Sequence, residues 1–286
     1  MLEFALNVVP IIFPFESLDA RFMQLAMLGL LLLAPVVAVM GVHVVNHRLA
    51  FFSDAVGHSA FTGLALSVIF AVSPKIAMPA FAVLVGILVV FLQRRGTLSS
   101  DTVIGVVFSG IVAVGLAIVS RERNLARDLQ KFLYGDILTI SEGDIKVLAL
   151  LALAVLAFQA WGFNRLVYVG LNPLLAKSHG VRVSLYQYIQ GILLSAVVIF
   201  AVWAVGILLV TALLVVPAAA AKNLSRSALG MFYWSLLIAI ASAAIGLIIS
   251  AQDWASTATG ATVVLCSCVF FVMSLPVGAV RGRVSR

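Results

Sequence analysis

The feature that most constrains this chain is the recurrence, along its whole length, of apolar runs long enough to cross a bilayer. A hydrocarbon core about 30 Å thick needs roughly 20 predominantly apolar residues per helix. Backbone groups in lipid must be satisfied within the segment, so runs of this length read as helices. Composition agrees: 63% of residues are hydrophobic, 10% are charged, and the mean hydropathy is +1.19. Soluble domains carry about 25% charged residues, so too few charges remain here to cover a globular surface. The sequence therefore predicts an all-α, polytopic integral membrane protein of about eight or nine transmembrane helices, forming one transmembrane domain over residues 1–286.

Spans are expected near Phe22 to Val42, Asp54 to Val72, Ile76 to Leu92, Asp101 to Val119 and Ile145 to Trp161. A hydrophilic stretch from Gly162 to Ser184 follows. The apolar stretch from Leu185 to Ala221 is too long for one helix and divides around Trp203 to Gly206. The last two spans are expected near Ala228 to Ser250 and Gly260 to Val277. FLYGDI, in the longest polar loop, suggests a short surface helix or re-entrant piece. Residues 1–21 hold Pro10 and Pro14 and no cation before Arg21, which suits a broken extracytoplasmic segment better than a secretory signal.

With nine spans, eleven Lys and Arg fall on one side and seven on the other. The positive-inside rule then puts the C-terminus and the 162–184 loop in the cytoplasm and the N-terminus outside. With eight spans that loop would lie outside, so span number decides more than the charge count. The net charge of +7 comes from cations in short gaps between apolar runs, with no basic patch interleaved with aromatics, which excludes nucleic acid as a partner. Cys266 and Cys268 lie two apart in the last run, on different faces of a helix, and suit neither a disulfide nor a metal clasp.

Asp54 and His58 are the one pair of ionisable residues at chelating spacing inside an otherwise apolar helix. Residues four apart share a face, and Thr62 continues the stripe. A charged side chain at membrane depth usually faces a pathway or a partner. Carboxylate and imidazole together suit Zn²⁺ or Mn²⁺ and suit Cu(I) poorly. The alternative is structural, with Asp54 capping the helix and His58 packing against a neighbour. His43 and His47, also four apart, read as solvated residues at the end of the first span, and His179 as a surface residue. Ser53, Asp54 and His58 lie too close along one helix to align as a hydrolase triad. No Gly-Lys dipeptide exists, so this chain carries no P-loop, and any ATP-driven process takes its ATPase from another subunit. Asp101, after Ser99 and Ser100, reads as a helix start, and the small residues Gly105, Ser109, Gly110 and Gly115 as close helix packing.

Four blocks in order carry a resemblance: HRLAFFSDAVGHSAFTGLAL, LSSDTVIGVVFSGIVAVGLAIVS, FLYGDILTIS and AVGILLVTALLVVPAAAAKNLSRS. Together they resemble the permease subunit of bacterial ATP-binding cassette importers for zinc, manganese and iron, over nearly the whole chain. The resemblance implies a type II importer-like permease in the bacterial inner membrane. It implies no enzyme activity and no permanently bound cofactor, with Zn²⁺ or Mn²⁺ as cargo and Fe²⁺ a further candidate. Implied partners are a second copy of the chain, cytoplasmic ATPase subunits, an extracytoplasmic metal-binding protein and membrane lipid. Asp54 and His58 would be the metal pair in the pathway. NPLLAKSHGVRV looks like the cytoplasmic coupling segment, with Ala176 and Gly180 at the positions that contact the ATPase. Departures are Ser53 for the family's Gly, Gly57 for its Ser, His47 with Arg48 for paired Arg, and Ser256 to Ala261 where relatives often read Asp-x-Pro-x-Gly-Ala. Alternatives are a permease for a chelated metal or vitamin, and an ion-coupled carrier acting without an ATPase.

Overall fold

The computed structural model describes Pro10 and residues 20–120, 137–252, 255 and 257–284. Among them all regular structure is helical. The FLYGDI segment up to Asp136 and most of the N-terminal stretch lie outside the described residues.

Among the described residues ten α-helices follow in order: α1 Arg21–Asn46, α2 Phe52–Ile69, α3 Pro74–Arg95, α4 Ser100–Val119, α5 Glu142–Leu171, α6 Pro173–Ser178, α7 Val183–Val205, α8 Ile207–Leu224, α9 Ala228–Ser250 and α10 Thr259–Val284. Seven are long and apolar enough to cross a membrane: α1, α3, α4, α5, α7, α9 and α10. The less apolar α2 and the shorter α8 each have 18 residues, about 27 Å at 1.5 Å per residue. Counting these two, the described helices match the nine expected spans one for one.

Local sequence sets the ends. Ser99 Oγ accepts from Thr102 N at 3.2 Å to start α4, and Ser227 Oγ accepts from Gly230 N at 3.0 Å to start α9. Ser141 and Asp144 cap α5 reciprocally, Ser141 N donating to Asp144 Oδ2 at 3.0 Å and Asp144 N to Ser141 Oγ at 3.3 Å. Between α7 and α8 the break falls on Gly206, whose φ of +85° an L side chain rarely adopts.

The largest boundary difference from the sequence reading is in α5. Helix α5 continues ten residues past Trp161 to Leu171, so the first part of the polar stretch is helical. Arg165 does not end the helix because its charge is covered: Nη1 donates to the Tyr186 hydroxyl at 2.5 Å and the guanidinium lies 5.3 Å from the Trp161 ring. Asn172 and Pro173 end it, since proline disfavours helical backbone in the residue before it.

By contacts the chain divides into two bodies. The first holds α1 up to Val42, α5 up to Leu156, and α8, α9 and α10, the last three packed pairwise. Small residues set the spacing: a Cβ on Gly246 would come within 2.6 Å of Val263 Cα, and one on Gly41 would reach the Leu214 carbonyl. The second body holds the end of α1, α2 to α4, the rest of α5, α6 and α7. There α2 packs on α3 and α4, and a Cβ on Gly63 would meet Met78 Cα at 2.9 Å.

Candidate functional site

Helix α2 is almost wholly enclosed. From Phe52 to Ala65 every residue is buried except Asp54, His58 and Phe61, which are partly exposed. These stand at i, i+4 and i+7 and form one strip along a single face. The expected pair is therefore brought together, on the open face of a helix whose other sides are covered. The carboxylate of Asp54 lies within electrostatic reach of His58.

The His58 ring is held edge-on by Phe61 at 5.2 Å and by Phe108 of α4 at 5.3 Å between centroids. One turn on, Thr62 Oγ1 donates to the Ile111 carbonyl of α4 at 2.8 Å, locking the two helices. Gly115 permits this approach, because a Cβ there would sit 2.6 Å from Thr62 Oγ1. Ser53, where the family pattern has Gly, is buried and donates to the Ala50 carbonyl at 3.3 Å. Gly57, where the pattern has Ser, is buried on the covered side.

No group of three or more His, Cys, Asp or Glu converges among the described residues. Two donors cannot complete the usual four-coordinate shell of Zn²⁺ or the larger shell of Mn²⁺. The strip offers a partial shell, suited to weak and reversible ligation.

The NPLLAKSHGVRV segment folds as the short α6. Asn172 Oδ1 accepts from Leu174 N at 2.9 Å and Leu175 N at 3.1 Å, and Pro173 takes the first helical position. Ala176 is fully buried, so it seats α6 against its own body; Leu175, Ser178, His179 and Gly180 are exposed. Gly180 has φ +76° and open space around its would-be Cβ, so its backbone and not crowding calls for glycine. His179 is exposed, its Nδ1 2.9 Å from the Leu175 carbonyl.

His43 is not the solvated residue expected from its place near a helix end. It is 1% exposed, and its Nε2 lies 2.7 Å from Gln159 Oε1, while Gln159 Nε2 donates to Gln190 Oε1 at 3.4 Å. Sequence spacing did not reveal this buried polar chain. Its signal was glutamine within apolar runs at positions 159 and 190.

Comparison with known proteins gives a consistent picture. The family described as "ABC 3 transport family" matches residues 19–278. The chain is 32% identical over 250 residues to the high-affinity zinc uptake system membrane protein ZnuB of Haemophilus influenzae, covering 87% of this chain and 95% of that protein. It is 29% identical over 256 residues to the manganese import system permease protein ScaB of Streptococcus gordonii, covering 90% and 91%. A solved structure of PsaBC from Streptococcus pneumoniae in complex with Fab superposes with a TM-score of 0.75 at 26% identity, covering 96% of this chain and 95% of that one.

Proposed function

Because the chain belongs to the ABC 3 transport family, we propose that it is the permease subunit of an ATP-driven importer for divalent transition-metal ions, Zn²⁺ or Mn²⁺. It is a multi-pass protein of the bacterial inner membrane and a transporter subunit, not an enzyme. The observation that carries the reading is the strip of Asp54, His58 and Phe61, the open face of an otherwise enclosed helix. In this reading Asp54 and His58 bind the cargo directly and in transit. Missing ligands come from water or from the equivalent pair of a second copy, which would supply two carboxylates and two imidazoles about a two-fold axis. A transport site must release its ion, so an incomplete shell suits the task. Neutral imidazole is the binding form, so protonating His58 weakens uptake.

An extracytoplasmic metal-binding protein delivers the ion, and cytoplasmic ATPase subunits drive its passage. The exposed side of α6, with Leu175, Ser178, His179 and Gly180, docks on the ATPase, and buried Ala176 seats the helix close to its body. The test is metal uptake in cells carrying Asp54→Asn or His58→Ala. Each loses uptake while membrane insertion and ATPase association persist. Wild-type uptake kinetics in both would return the pair to a helix start and a packed imidazole.

A further inference from the structure

Helix α5 is 30 residues long, about 45 Å at 1.5 Å per residue, and so outruns the roughly 30 Å hydrocarbon core. In the proposed orientation its far end and α6 stand in the cytoplasm. There Leu171, Leu174 and Leu175 are 78%, 79% and 49% exposed. Leucines clustered beyond the lipid and left uncovered mark a protein contact surface.

Beside them, where α1 and α3 end and α7 begins, the second body holds a cavity of about 1230 Å³. Leu171 and Leu174 line it together with Arg48, Arg94, Lys177 and Arg182, and no Asp or Glu does so among the described residues. Arg94 Nη1 donates to Gln187 Oε1 at 2.6 Å, a neutral acceptor that leaves its charge uncompensated. The side chains of Arg48, Lys177 and Arg182 make no hydrogen bond or ion pair with any described residue. Gln93 Nε2, on the same wall, is buried and has no acceptor among the described residues, so an amide N–H also lacks an oxygen.

Four like charges around one hollow repel one another weakly while water fills it, and more strongly once a partner excludes that water. A partner that closes over α6 and the adjoining cavity must therefore bring carboxylates, or leave cations desolvated and unpaired. A second copy of this chain has none to bring from its cytoplasmic gaps. Segments 43–53, 162–184, 222–227 and 278–286 hold cations and no Asp or Glu.

We propose that this cavity is a socket for an acidic element of the ATPase subunit, its carboxylates paired with Arg48, Arg94, Lys177 and Arg182 and its apolar side chains set against Leu171 and Leu174. It rests on the reading of α6 as the helix that docks on the ATPase, and adds a reciprocal contact: beside the helix that the ATPase receives, the permease receives a part of the ATPase. The cavity exceeds the ~300–1,000 Å³ of small-molecule sites, which suits a polypeptide element.

The test uses the purified permease in nanodiscs containing phosphatidylglycerol, together with its ATPase. Each of Arg48→Gln, Lys177→Gln and Arg182→Gln lowers ATPase affinity about two- to fivefold, and the triple variant about 10- to 100-fold. Raising ionic strength from about 0.05 to about 0.5 M weakens wild-type binding, and the triple variant loses most of that dependence. Lys75→Gln, at the start of α3, leaves the affinity unchanged, and thermal unfolding confirms that each variant is folded. Lys177, exposed on α6, stays within reach of small reagents. A carbodiimide should join its amine directly to an Asp or Glu of the ATPase, and Lys177→Gln should remove that product. Wild-type ATPase affinity in the folded triple variant overturns the proposal while leaving α6 as a docking helix. So does a Lys177 product formed with a second permease chain, which would make the cavity an interface between copies. Loss of phosphatidylglycerol retention in the triple variant with ATPase affinity intact overturns it in favour of a lipid headgroup. A wild-type permease that binds no ATPase sinks the importer reading itself, and the socket with it.

Discussion

Replacing Gly115 by alanine tests how α2 is held in place. The new Cβ would sit 2.6 Å from Thr62 Oγ1 and 3.4 Å from Thr62 N. Ordinary contact needs about 0.8 Å more at the hydroxyl, so Thr62 must rotate or α4 must retreat. Rotation breaks the 2.8 Å hydrogen bond from Thr62 Oγ1 to the Ile111 carbonyl, a net loss of about 0.5–1.5 kcal/mol. Retreat overpacks the surroundings, at about 1–3 kcal/mol. Gly115→Ala is therefore expected to cost about 1–3 kcal/mol. Thr62→Ala alone costs about 1 kcal/mol, because the Ile111 carbonyl keeps its helical bond from residue 115. In the double variant the alanine methyl fills the space the hydroxyl left, so its cost stays close to that of Thr62→Ala. The double-mutant cycle should return a coupling of about 1–3 kcal/mol. It is measured by reversible unfolding in mixed micelles, with metal uptake recorded in parallel because His58 lies one turn away. An equal cost of Gly115→Ala in the wild-type and Thr62→Ala backgrounds would refute the steric argument.

Three other outcomes are expected. A Cβ at Gly180 meets no described atom within 4 Å, so Gly180→Trp bears chiefly the left-handed backbone cost of about 1–2 kcal/mol; it should fold yet lose ATPase association and transport, while Gly180→Asn retains both, and wild-type behaviour in Gly180→Trp removes α6 from the coupling role. A single cysteine at Lys177, in a background lacking Cys266 and Cys268, should resist an impermeant thiol reagent in intact cells and react after permeabilisation, and efficient outside labelling would reverse the orientation. Burial holds the His47 imidazole below its ordinary 6.5, a hydrogen bond to the Leu166 carbonyl opposing the shift. Since the unfolded chain takes up this proton first, stability should fall as pH drops through about 6.5 towards the folded value; His47→Gln should flatten that slope in thermal unfolding, and an unchanged slope would show that other groups set it.

Hydropathy made the order of the long helices legible because length and apolarity are local properties, and Gly206 divides the long stretch where a φ-permissive residue was expected. The end of α5 was not legible. What carries it past Arg165 is the contact with Tyr186, 21 residues away, and no local pattern reports such a partner. Spacing put Asp54 and His58 on one face, but it could not say that this face alone stays open, since that depends on Phe108, Ile111 and Gly115 in a different helix. His43 misled for the same reason. Its place near a helix end suggested water, whereas Gln159, brought by α5, supplies a buried partner.

The open strip on α2 also bears on how the protein is made. A helix leaves the insertion machinery for lipid according to its own apolarity. Helix α2 carries Asp54, His58, Ser53, Ser59, Thr62 and Ser67 within 18 residues, and it falls outside the set of helices apolar enough to qualify on that measure. Asp54 lies in the first turn, where its cost is below that at mid-membrane, yet the balance remains marginal. The next helix in the chain, α3, is strongly apolar, joined by the short 70–73 turn and approaching α2 through Gly63. The expected unit of biogenesis is thus the α2–α3 hairpin, retained at the ribosome's membrane port until its second half emerges. Slowing translation just after α2 should then lower the yield of inserted protein more than the same pause after α3.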